Sequence, residues 1–176
     1  MKPHSLIFRA ALTAVVFAAS AQAFAQQYPS RDITFIVPYA PGGSTDPISR
    51  QIASQLEKEL KGSINVENKP GGSATVGVGH VIRSKPDGYT IGLSSNSALA
   101  YQPLVNKSIT WKSPADYQSI VTLVKLPAII TVKADSPYKT FEDFVEAARK
   151  NPGKIRVAVS GYRTAPDLVI QELNKV

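Results

Sequence analysis

Ile33-Thr34-Phe35-Ile36-Val37-Pro38 is a short β-rich apolar run, and Ala40-Pro41-Gly42-Gly43-Ser44 after it has turn composition. Ile48, Ile52, Leu56 and Leu60 then repeat every four residues with Ala53 beside them, which predicts a helix from about Pro47 to Lys61 with one buried stripe. Asp46 suits the N-cap, because Pro47 fits the first helical position, where no N–H is needed. Gly62 suits the stop after the last turn.

The cycle repeats on either side of a second turn. Ile64-Asn65-Val66-Glu67 predicts a strand, Asn68-Lys69-Pro70-Gly71-Gly72 a loop, and Ala74 to Arg83 a helix with Val78, Val81 and Ile82 inward. Gly77 and Gly79 weaken that helix by about 1 kcal/mol each relative to Ala, so they mark close packing against a neighbour. Tyr89–Leu93 predicts a third strand, followed by Ser94-Ser95-Asn96-Ser97 and a short helix through Leu104. Further strands are expected at Gln118–Val124, Ala128–Val132 and Ile155–Val159. Two more helices are expected, one behind the Thr140-Phe141-Glu142-Asp143 capping box and one from near Ala165. Strand–helix–strand repetition argues an α/β fold with a parallel sheet. The break at Lys125-Leu126-Pro127 predicts a domain crossing, with domain 1 over 26–125 and the start of domain 2 over 126–176. About 50 residues are thin material for an independent core, so a truncated second domain is expected.

Upstream, Lys2 and Arg9 precede an uncharged apolar run, Ala10–Ala19, and then Ala23-Phe24-Ala25. This predicts a signal peptide over 1–25, cleaved after Ala25, and an exported, periplasmic product. The run is too short to span a bilayer. Of 176 residues, 20 are Lys or Arg and 13 Asp or Glu, for a net charge of +7. Loss of Lys2 and Arg9 with the leader lowers it to +5. The basic residues are scattered with no run of three, which argues against nucleic acid and leaves a mild field for anionic solutes. The chain has no cysteine and two histidines, His4 and His80, which excludes disulfides, thiolate metal sites and a Cys nucleophile. No metal site and no cofactor is expected.

Three polar loops follow predicted strands: Gly42-Gly43-Ser44-Thr45-Asp46, Ser94-Ser95-Asn96 and Ser160-Gly161-Tyr162-Arg163-Thr164. In open α/β sheets, ligands bind beyond the carboxyl ends of strands. Glycines admit a ligand close to the backbone, and the N–H groups at a helix start favour an anion such as a carboxylate. From the first loop alone, an anion site and a tight strand-to-helix turn stand level. Neither the phosphate-binding Gly-Lys-Ser/Thr nor Gly-x-Gly-x-x-Gly is present. The chemistry on offer is hydrogen bonding, and no catalytic residue is assigned. A serine hydrolase is the alternative from another class: Gly92-x-Ser94-x-Asn96 is close to a nucleophile elbow but lacks its final Gly, and His80 would have to serve as base. Glu142, Asp143 and Glu146 fit the first turns of a helix.

Several stretches resemble the Bug family of solute receptors, the TctC-like periplasmic binding components of tripartite tricarboxylate transporters. They are Tyr28–Ile33 with Val37–Asp46, Val66-Glu67-Asn68-Lys69-Pro70-Gly71, Lys85-Pro86-Asp87-Gly88-Tyr89-Thr90, and Ser160-Gly161 through Pro166. The resemblance implies a two-domain Venus-flytrap fold of the type II periplasmic-binding-protein kind, here truncated to its N-terminal half. It implies capture of a small carboxylate or related metabolite, and presentation to the membrane subunits of the transporter. The positions it assigns to the ligand are Gly42, Gly43, Thr45 and Asp46, then Ser94, Ser95 and Asn96, then Ser160, Gly161 and Thr164. The chain departs from the pattern at Ser73 and Ala74, where the family usually has more glycine. It departs again at Arg163, usually Gly, and at Asp167, often His. Members are also about twice as long, which keeps open a non-functional truncated fragment as a further reading.

Overall fold

The computed structural model describes residues 28–125 and 127–175. The leader and its cleavage site lie outside these residues. At the centre is β1, Ile33–Val37, flanked by β2, Ile64–Asn68, and β3, Thr90–Gly92, in the order β2-β1-β3. Both pairings are parallel, with Ile33 opposite Ile64 and Thr34 opposite Thr90. β1 is apolar almost throughout because it is central and covered on both faces, whereas the edge strand β2 alternates buried and exposed residues.

Helix α1, Thr45–Leu60, links β1 to β2, and α2, Thr75–Arg83, links β2 to β3. The two helices cover opposite faces. Ile52, Ala53, Leu56 and Leu60 of α1 pack with Ile33, Phe35 and Ile64. Gly92 is the register partner of Ile36, on the other face, and there it meets Val81 of α2. Beyond α2, Ala74 and Val78 join Ala98, Ile109 and Trp111 in a second cluster, and the Trp111 indole N–H donates to the Ala98 carbonyl at 3.1 Å. Gly77 and Gly79 stand where close packing demands them, against Pro38 and the Lys69 carbonyl in one case and Trp111 and Arg83 in the other. After β3 a π-turn, Ser97–Tyr101, runs into the short helix α3, Gln102–Val105. Among the described residues, no helix is long and apolar enough to cross a membrane.

Two expectations around α1 are corrected. The helix begins at Thr45 with Ser44 at its N-cap, so Asp46 and Pro47 lie inside the first turn. At the other end the left-handed residue is Lys61, with φ 54°, and not Gly62. Gly62 answers a different need: a Cβ there would collide with Pro29 Cγ.

The larger correction concerns residues 118–159. None of the strands expected at 118–124, 128–132 and 155–159 is formed. Their composition suits strands, but a strand exists only through its ladder, and no backbone hydrogen bond joins 118–132 to another segment among the described residues. Their apolar side chains stay open, Ile120 at 80% and Ile129 at 76% exposure. The helices need no such partner. α4, Phe141–Lys150, carries the expected capping box, with Thr140 Oγ1 accepting from the Asp143 N–H at 3.1 Å and Asp143 Oδ2 accepting from the Thr140 N–H at 2.9 Å. α5 spans Ala165–Leu173.

Candidate functional site

The strand order reverses direction at β1: the chain leaves to β2 on one side and returns to β3 on the other. The crevice beyond the carboxyl ends of β1 and β3 is the topological switch point, where doubly wound sheets bind ligands. The first two polar loops flank it, and the Tyr39 hydroxyl bridges them by donating to Ser95 Oγ at 2.9 Å.

The first loop is folded around Asp46. Its buried carboxylate accepts from the Gly42 N–H at 3.1 Å and from the Asn68 amide at 3.0 Å, and pairs with Arg50 at 3.1 Å. These contacts, the Gly42 N–H first and the Asn68 amide next, hold its carboxyl below the usual carboxylate range. Asn68 ends β2 and also donates to the Tyr39 carbonyl at 3.1 Å, so the edge strand supports the loop from beneath. Asp46 is therefore a staple. Gly42, Gly43 and Ser44 stay exposed and Thr45 half-buried at the start of α1. Gly42 needs its glycine for a φ of 80°. Gly43 does not: its φ is not left-handed, and a Cβ there would touch only the Ala40 carbonyl, at 3.5 Å.

In the second loop, Ser95 also accepts through its carbonyl from the N–H groups of Ala98 and Leu99, both at 3.0 Å, which starts the π-turn. Asn96 is exposed. Ser94 Oγ is buried with no hydrogen-bond partner, the one such side-chain atom among the described residues. A buried hydroxyl left unpaired invites a ligand or water. It does not bond to His80, whose side chain is exposed on α2, so the hydrolase arrangement is not assembled.

The third loop docks beside the other two. Ser73 Oγ donates to the Tyr162 carbonyl at 2.8 Å, the Gln102 amide to the Arg163 carbonyl at 2.7 Å, and the Ala165 N–H to Ser97 Oγ at 3.0 Å. Gly161 packs against Ser73, Thr164 is buried with its hydroxyl donating to the Gly161 carbonyl at 2.7 Å, and Ser160 is exposed. Arg163 meets Asp167 through its backbone: the Arg163 N–H donates to Asp167 Oδ2 at 2.8 Å, while the guanidinium lies over the Tyr162 ring at 5.1 Å.

The three loops are thus linked in series, first to second by Tyr39 and Ser95, second to third by Ser97 and Ala165. Sequence reasoning did not single out Tyr39, Asn68, Ser73, Ser97 or Gln102 for this work. Tyr39 and Asn68 lay inside the stretches quoted for the family resemblance. Gln102 carried no signal, since a glutamine in a short helix is ordinarily exposed.

Comparison with known proteins agrees with this geometry. The profile of TctC, the tripartite tricarboxylate transporter family receptor, matches residues 48–176. A UPF0065 protein of Bordetella pertussis is 35% identical over 168 residues, which is 96% of this chain and 51% of that protein. A UPF0065 protein of Cupriavidus necator is 34% identical, over 98% of this chain and 54% of its own length. Among solved structures, a Rhodopseudomonas palustris protein determined with adipate superposes with a TM-score of 0.68 at 27% identity, covering 76% of this chain and 45% of that one. A TctC solute-binding protein from Polaromonas, without ligand, gives 0.51 at 42% identity, covering 70% and 42%. The chain spans about half the length of the curated relatives it matches. Its α/β fold with a parallel sheet is that of periplasmic binding proteins, and the chain belongs to the tripartite tricarboxylate transporter receptor family.

Proposed function

We propose that this chain is the ligand-gripping N-terminal part of an exported solute receptor for small carboxylates, working in the periplasm with the membrane subunits of a tripartite tricarboxylate transporter. The observation that carries the reading is the loop series at the β1/β3 switch point, with an unpaired buried hydroxyl, Ser94 Oγ, among its groups. Gly43, Ser44 and Thr45 offer backbone N–H groups at the positive end of α1 to a carboxylate, with Ser94, Asn96 and Ser160 as further donors, while Gly42, its N–H taken by Asp46, shapes the loop. Asp46, Ser95, Gly161 and Thr164 hold those groups in place. Adipate in a relative's structure supports the carboxylate class. Residues 26–125 form the first domain and 126–176 open the second. Closure of two domains over the ligand excludes water and strengthens each polar contact.

The test is calorimetric titration of a polypeptide that carries these residues together with the second half its relatives possess, against linear dicarboxylates including adipate, monocarboxylates and amino acids. A saturable heat for at least one carboxylate is expected, abolished by Ser94→Val. Absence of binding to every carboxylate overturns the proposal. Residues 26–176 alone bind weakly or not at all. N-terminal sequencing of the exported product, expected to begin at Gln26, checks the leader.

A further inference from the structure

We propose that Gln102 and Ser73 are positioning residues that clasp the backbone of residues 162–165, and that this clasp, not the linking chain, fixes the third loop beside the switch point. The consequence for ligand binding rests on the receptor reading above, while the clasp itself does not.

Gln102 is 3% exposed, and its amide nitrogen donates to the Arg163 carbonyl at 2.7 Å and the Tyr162 carbonyl at 3.5 Å, about sixty positions along the chain. A buried amide without partners is strongly unfavourable, so burial of Gln102 and docking of the loop are one event. Ser73 and Ser97 add one bond each, and all of these contacts engage backbone atoms of residues 162–165. Apolar packing does not compete for the role: beyond residue 118, Thr164 is the one buried residue among those described.

Backbone conformation points the same way. The described chain has four non-glycine residues at positive φ, and three of them, Ser73 at 54°, Ala74 at 77° and Arg163 at 56°, meet at this junction. Such conformations persist where the surroundings over-determine them. A glycine at 73 would relax the backbone, but it has no hydroxyl to reach Tyr162. The facing residue is matched to it: a Cβ at Gly161 would lie 2.9 Å from Ser73 Oγ. Side chain on one wall and bare backbone on the other form a fitted pair.

The experiment is residue-resolved amide exchange by NMR on the purified chain, without ligand, for Gln102→Leu, Gly161→Ala and Ser73→Gly. Exchange at Ala165, whose N–H is bonded to Ser97, is expected to accelerate at least tenfold in each, with protection in β1 unchanged. Ser73→Gly also relieves a left-handed residue, so its melting temperature holds or rises while the loop loosens, a split that a merely structural role does not produce. Unchanged exchange at Ala165 in Ser73→Gly and Gln102→Leu, or acceleration in parallel with β1, overturns the clasp. Exchange that responds as expected beside a failed carboxylate titration leaves the clasp standing and removes the receptor reading.

Discussion

Replacing Gly77 by Ala puts a methyl group where α2 crosses the end of β1. The new Cβ would sit 2.7 Å from Pro38 Cβ, 2.8 Å from the Lys69 carbonyl oxygen and 2.9 Å from Pro38 Cα. Comfortable carbon contacts begin near 3.5 Å, so α2 has to retreat by roughly 0.5–1 Å. None of the three atoms is the free end of a flexible side chain, and the segment is held by the Lys69 N–H donating to the Val37 carbonyl at 2.8 Å. Retreat also draws Val78 out of its cluster with Ala98 and Trp111. Ala gains about 1 kcal/mol over Gly in a helix, and overpacking costs about 1–3 kcal/mol. With rigid opponents the upper part of that range applies, so a net loss of about 1–2 kcal/mol is expected. For a chain of about 150 residues that lowers the melting temperature by roughly 2–8 °C. Far-UV circular dichroism melts measure it, with Gly43→Ala as control, where the added Cβ meets only the Ala40 carbonyl at 3.5 Å and the change stays within about 0.5 kcal/mol. Gly77→Ala melting at or above the wild type, or Gly43→Ala falling as far, refutes the packing argument.

Lys61 holds φ at 54° as the left-handed cap of α1, so Lys61→Gly stabilises by about 0.5–1 kcal/mol, read as a higher urea midpoint. Asp46 has its folded pKa lowered, first by the Gly42 N–H and then by the Asn68 amide, so its contribution is complete above the unfolded carboxylate value of about 4 and lost as pH falls through the lower folded value. Urea midpoints from pH 5.5 downward fall in the wild type and fall less in Asp46→Asn, and equal slopes contradict this. Ile129→Lys reduces binding of a hydrophobic dye and self-association in sedimentation without lowering the melting temperature, because Ile129 is 76% exposed in a segment without ladder hydrogen bonds.

Legibility in the sequence followed how local each determinant is. Helices α1, α2 and α4 announced themselves through apolar positions three and four residues apart and a capping box, signals complete within one turn or two. The parallel sheet followed from alternation of elements, and the close-packing role of Gly77 and Gly79 from their presence inside a helix. Strands 118–124, 128–132 and 155–159 were misread because apolar β-branched residues report willingness to pair, not the presence of a partner. Asp46 shows the same limit at the site. Its position before a proline suited a cap, yet its carboxylate is claimed by Asn68 from another strand and by Gly42 behind it. Gln102 was invisible because its partners lie about sixty residues away.

The chain has a single tryptophan, and Trp111 is tied by its indole N–H to the carbonyl of Ala98, one residue past the serine that receives the third loop. That placement makes it a native optical gauge. Departure of the loop rearranges the π-turn and with it the polarity around one fluorophore, so docking kinetics can be followed by intrinsic emission in a stopped-flow instrument, with no label and no spectral background from a second indole.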